Sequence, residues 1–154
     1  MKPKLILYLA LVLSGGLFGC STSNQHRSDT NSLKVVVKLD KTQIHVREHF
    51  NLALRVENPT TTNQFVRVMS CSWWQQWRPS NPSIYFWQEP CTWNAPTSLK
   101  IPAGGTITFD LEVYVSEPIS IDPVTRKLSF QMGFTPIDSK KTFWSKEMTI
   151  QVIP

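Results

Sequence analysis

From Leu33 onward apolar and polar residues alternate with a period of two, the pattern of strands with one buried face. Leu33, Val35, Val37 and Leu39 share one face, with Lys34 and Lys38 opposite. Leu52, Leu54 and Val56 alternate with Ala53, Arg55 and Glu57. The longest run is Thr106 to Val115, where Ile107, Phe109, Leu111, Val113 and Val115 face inward and Thr106, Thr108, Asp110 and Glu112 face water. Leu128, Phe130, Met132 and Phe134 repeat the pattern, followed by Met148, Ile150 and Val152. Turn signals at Asn58-Pro59, Asn81-Pro82, Pro102-Ala103-Gly104-Gly105 and Asp122-Pro123 separate the runs. The spacing predicts an all-β chain, an antiparallel β-sandwich of about seven to eight strands.

The first residues read differently. Lys2 and Lys4 precede an unbroken apolar run, Leu5 to Leu13, and then small residues. That is the layout of a secretory signal, and Leu5 to Gly19 falls short of the roughly 20 residues that span a bilayer. The run closes on Leu17-Phe18-Gly19-Cys20, which resembles the lipobox of bacterial lipoproteins. The resemblance implies cleavage before Cys20, acylation of Cys20 and attachment to membrane lipid in the cell envelope. Within that resemblance Ser21, in place of Asp after the cysteine, favours the outer membrane over the inner. Ser21 to Ser32 carries no large apolar residue, so it reads as a tether of about 12 residues, on the order of 20 Å in typical span. The expected organisation is a signal peptide over 1–19, a lipidated cysteine and tether over 20–32, and a single sandwich domain over 33–154.

Charge adds little to this. The 154 residues carry a formal net charge of +5, of which Lys2 and Lys4 leave with the signal. No basic run exceeds Lys140-Lys141, so no nucleic-acid partner is expected. His45-Val46-Arg47-Glu48-His49 matches the H-x-x-E-H pattern of inverted zinc peptidases, a chemistry that needs a helix to bring both imidazoles to one ion. Strand-like alternation flanks this motif and places His49 in a connection between strands, about 13 Å from His45 on an extended chain. Asp110 and Glu112 share a strand face and read as surface carboxylates. There is no G-x-S-x-G elbow and no glycine-rich phosphate loop. The chain is expected to be no enzyme, with no catalytic residue, cofactor or metal.

Cys71 and Cys91 are the two cysteines left beside Cys20. In an exported domain they read as a disulfide closing a loop of about 20 residues, which contributes roughly 3 kcal/mol. Five of the six tryptophans lie between Trp73 and Trp93. Such density has two explanations, a recognition surface of stacked indoles or an aromatic plug on the disulfide. Trp73 and Trp87 are expected in the core. Trp74, Trp77 and Trp93 are the candidates for exposure, with Arg78 beside them to donate hydrogen bonds.

Phe50 to Pro59 (FNLALRVENP), followed by Leu99 to Phe109 (LKIPAGGTITF), resembles bacterial immunoglobulin-like domains. It is similar in particular to the intracellular proteinase inhibitor (BsuPI-type) domain. This resemblance implies an immunoglobulin-like sandwich. Three functions follow as expectations: a non-enzymatic envelope module that binds a protein partner, a proteinase inhibitor acting through a projecting loop, or a glycan binder using Trp74, Trp77 and Trp93.

Overall fold

A computed structural model describes residues 32–116 and 126–153. The signal peptide, Cys20, nearly all of the tether and the Asp122-Pro123 turn lie outside the described residues. Within them the chain is a sandwich of strands: β1 (Lys34–Leu39), β2 (Gln43–His45), β3 (His49–Glu57), β4 (Gln64–Met69), β5 (Trp77–Pro79) and β6 (Ile84–Phe86). β7 (Pro96–Ile101), β8 (Thr106–Val115), β9 (Lys127–Phe130), β10 (Met132–Phe134), β11 (Phe143–Trp144) and β12 (Met148–Ile153) complete it. The one helical turn described in the Trp-rich segment is a 3-10 turn, Trp73–Gln76.

One layer is the antiparallel sheet β1-β3-β8-β6. Its backbone is the long β3–β8 ladder, running from His49↔Tyr114 to Glu57↔Thr106. The other layer contains β11-β10-β5 and β2-β12-β9, with β2 and β12 paired in parallel. The expected continuous strands are interrupted here for a visible reason. Ser145 Oγ accepts from the Met132 N–H at 3.0 Å and Gln131 Nε2 donates to the Ser145 carbonyl at 3.0 Å, so side chains replace ladder bonds between the segments. β4 pairs with β7, and the Ile137 N–H donates to the Arg67 carbonyl at 2.9 Å, which carries this ribbon onto the second layer.

The alternation read from sequence is the alternation of burial. Leu52, Leu54, Val56, Leu111, Val113 and Val115 line the core from the first layer, against Ile44, Leu128, Phe130, Ile150 and Val152 from the second. Removing this much apolar area from water is the main favourable term in folding.

Asn58 locks the lower end. Its side chain is buried. Nδ2 lies within hydrogen-bond reach of three carbonyls, Thr62 at 2.7 Å, Pro102 at 2.9 Å and Ile101 at 3.1 Å. Oδ1 accepts from the Thr60 N–H at 3.1 Å and hydroxyl at 2.6 Å. The loop after β3 and the turn before β8 are therefore fastened by one side chain. Asn58→Ala leaves several buried polar groups unpaired and is expected to cost about 2–4 kcal/mol, measured as a shift in the urea midpoint at unchanged slope.

Candidate functional site

The Trp-rich segment divides into a core part and a surface part, along different lines from those expected. Cys71 and Cys91 form a disulfide, with Cα atoms 5.9 Å apart. Trp77 is 3% exposed, which corrects the expectation that it lies at the surface. It opens β5 opposite Phe134 of β10, so its side chain points into the sandwich. Its ring centroid stands 4.8 Å from Phe134 and 5.8 Å from Phe109, and Trp73 stacks on Phe109 at 5.0 Å. Trp73 thus packs against the core, as expected. Trp74 is only half-buried and also packs against the core, not free in solvent.

Trp93 is 86% exposed, as its sequence setting suggests. Arg78 is exposed but turned elsewhere: its guanidinium lies 5.0 Å over the Trp144 ring, and Nη2 donates to Thr142 Oγ1 at 3.1 Å. Gly133, paired with both Arg78 and Trp144, makes room for this stack, since a Cβ there would come within 2.8 Å of the Trp144 ring. With Trp77 inside the core, Trp93 in solvent and Arg78 on Trp144, the expected four-residue site is not assembled.

A different aromatic cluster is. Trp87, expected in the core, is 54% exposed, and Tyr85 is 46% exposed. The reason is strand parity. Ile84 and Phe86 of β6 turn toward the core, so Tyr85 and Trp87 turn outward. Tyr85 stands opposite Tyr114 on β8, which stands opposite His49 on β3. The rings follow this row. Tyr85 and Tyr114 stack at 5.6 Å with planes 20° apart, and Tyr114 and His49 stack at 5.4 Å with planes 15° apart. The ladder continues past β6, because the Trp87 N–H donates to the Glu112 carbonyl at 2.9 Å. The Trp87 ring then reaches His49 at 4.9 Å. Glu112 holds the imidazole from below, with Oε1 2.9 Å from His49 Nδ1.

His49 is accordingly the first residue of β3, a correction to its expected place in a connection. Phe50 shares the parity of Leu52, Leu54 and Val56, and this signal would have placed His49 on the strand. The H-x-x-E-H residues have a structural use. Glu48 accepts from Lys41 Nζ at 2.6 Å and from the His45 N–H at 2.7 Å, closing the β2–β3 turn. The Lys41 hydrogen bond, then the His45 N–H, hold the Glu48 carboxyl below its ordinary value. A carboxyl lowered in the folded state stabilises above its unfolded pKa, and that contribution disappears as pH falls through the lowered value. Hydrogen exchange at the His45 amide is therefore expected to quicken, relative to neighbouring strand amides, as pH drops below the ordinary carboxylate range. Glu48→Ala should abolish this difference. Among the described residues no three His, Cys, Asp or Glu side chains are grouped to hold a metal ion, and no helix is long and apolar enough to cross a membrane.

Comparison with protein-family models and with curated proteins finds no match. Among solved structures the chain is similar to a b-glucosidase, EmGH1 of Erythrobacter marinus, at 10% identity and a TM-score of 0.37. The alignment covers 79% of this chain and 15% of the glucosidase, so the chain spans a small part of that protein's length. A likeness this loose bears on neither the fold nor the activity of this chain.

Proposed function

We propose that the chain is a non-enzymatic binding module of the bacterial cell envelope, held to membrane lipid through acylated Cys20, and that it recognises its partner with the outer face of the β1-β3-β8-β6 sheet. The observation that carries this reading is the exposed aromatic row. Two large rings about half in water, Tyr85 and Trp87, are held in fixed positions by Tyr114, His49 and Glu112. Rigid aromatic side chains lose little entropy when they bind, and binding energy concentrates on such residues.

The position of the row suits this role. Lys34, Glu57 and Thr106 form one end of the sheet, and His49, Tyr114 and Tyr85 lie toward the other. Eight residue steps along β3, from His49 to Glu57, separate the two ends, about 27 Å. A tether from Cys20 joins the domain at the Lys34 end and leaves the aromatic end clear of the bilayer. Strand addition is a poorer mode of recognition here. Of the two edges of this sheet, β6 has only three residues and β1 carries Lys34 and Lys38, while β7 of the β4–β7 ribbon carries Pro96 and Lys100; edge lysine and proline discourage pairing.

The test places a photoreactive benzoyl-phenylalanine at residue 85 in living cells. A discrete adduct, absent when the same group replaces the exposed Phe65 of β4, is the expected result. No adduct at 85, or the same adducts from both positions, counts against the reading.

A second reading rests on Trp93. This indole stands 86% exposed, two residues past a disulfide-bonded cysteine, in the kind of stapled projecting loop an inhibitor would insert into a protease. Under that reading the domain lowers the activity of an envelope or host protease, and Trp93→Ala relieves the inhibition.

A further inference from the structure

We infer that the Cys71–Cys91 disulfide is a thiol-exchange site: a dithiol partner opens it in the folded domain and frees residues 88–93, with Trp93, while the sandwich stays closed. The inference goes beyond the binding-face reading and does not depend on it. Cys71 is exposed and Cys91 half-buried. The bond therefore lies at the surface, where an attacking thiolate reaches it without unfolding the domain.

The chain beside Cys71 already holds the residues that follow Cys91. The Ser70 N–H donates to the Ala95 carbonyl at 2.8 Å, and the Ala95 N–H donates to Ser70 Oγ at 3.2 Å. Asn94 Oδ1 accepts from the Cys71 N–H at 3.4 Å and from the Ser72 N–H at 3.3 Å. From this clamp the chain enters β7, fixed by its ladder with β4. On the other side the last tie is the Trp87 N–H, which donates to the Glu112 carbonyl at 2.9 Å. Between these points residues 88–93 form no helix or strand and, among the described residues, make no backbone–backbone hydrogen bond. Glu89, Pro90, Thr92 and Trp93 are exposed. The disulfide is thus the tie of a short surface segment that no ladder holds. Opening it leaves the β4–β7, β5–β10 and β6–β8 pairings in place.

Access decides which sulfur is attacked. A partner thiolate approaches the more exposed one, Cys71 Sγ. A bond forms between the partner's sulfur and Cys71 Sγ, and the Cys71–Cys91 bond breaks. Its electron pair leaves on Cys91 Sγ, which takes a proton from water. Cys91 Sγ lies 3.4 Å from the Trp93 carbonyl, so the new S–H has an acceptor in place. The partner's second thiolate then attacks its own bridged sulfur and releases Cys71 as a thiolate, which is protonated in turn. The domain gains two electrons and two protons, and the dithiol becomes a disulfide.

The experiment treats the purified protein with dithiothreitol in native buffer and in unfolding urea, with free thiols alkylated by iodoacetamide and counted by mass spectrometry. The native rate is expected to lie within about tenfold of the unfolded one. A slower native rate overturns the inference, because a bond reached only through global unfolding opens roughly a thousandfold more slowly or worse. Brief treatment with glutathione, quenched in acid, should place the mixed disulfide on Cys71; an adduct on Cys91 contradicts the assigned attack. Chymotrypsin reads the released segment. Cleavage after Trp93 should rise about tenfold or more once the protein is reduced and alkylated, with the bonds after Trp73 and Trp77 as resistant as before. Unchanged cleavage after Trp93, or new cleavage after Trp77 as the core comes apart, would show that the disulfide is a staple of the fold and not a switch.

Discussion

Trp77→Ala is expected to destabilise the domain by about 3–5 kcal/mol, the largest loss from any single aromatic in the Trp-rich segment. The indole fills the space between Phe109 and Phe134 and is almost wholly buried. Alanine would leave a cavity that the flanking strands, tied by the β5–β10 pairing and the disulfide, cannot close. Trp77→Phe should behave very differently. The Trp77 Nε1–H is buried without a hydrogen-bond partner, so phenylalanine removes an unsatisfied donor along with some packing, and the two effects oppose each other. The expected cost is about 1–2 kcal/mol. Trp93→Ala, in solvent, should stay within about 0.5 kcal/mol of the unsubstituted protein. Urea unfolding of the three variants gives the ranking. A Trp77→Ala no worse than Trp93→Ala would mean that the aromatic plug contributes nothing to stability.

Replacing Cys20 by serine is expected to have the largest effect on where the protein resides. Each acyl CH₂ buried in a bilayer contributes about 0.8 kcal/mol, and stable attachment needs two chains or more. The proposed anchor meets that requirement, whereas the outward strand faces of the domain carry mainly charged and polar side chains. Cys20→Ser should therefore move the protein from the membrane pellet to the soluble envelope fraction, with the fold and the Cys71–Cys91 bond intact. Detergent phase separation of the two forms checks this. Finding the unsubstituted protein in the aqueous phase contradicts the anchor.

The fold was legible where alternation is strict. Between Thr106 and Val115 each apolar residue faces in or packs against the core, and Asp110 and Glu112 face out. The Cys71–Cys91 pair was legible as the two cysteines left beside Cys20 in a chain whose first residues read as an export signal. The site was less legible. Tyr85-Phe86-Trp87 is three aromatics in succession, and alternation cannot say which of them face water. The choice is made by the pairing of Tyr85 with Tyr114, two residues far apart in sequence whose register no local pattern records. Trp77 was misplaced for a related reason. It follows directly on the 3-10 turn Trp73–Gln76, and only its pairing with Phe134 turns it inward. Arg78 then faces outward on the same short strand, onto Trp144, a residue that composition alone does not connect to it.

Hydroxyl-radical footprinting of the protein in intact envelopes, compared with the purified domain, tests the central claim most directly, because it reads side-chain exposure residue by residue. A partner seated on the outer sheet face should protect Tyr85, Tyr114 and Trp87 several-fold while Phe65 and Trp144 react as before. Equal oxidation of Tyr85 and Trp87 in both preparations, or protection confined to Trp93, would show that recognition lies elsewhere.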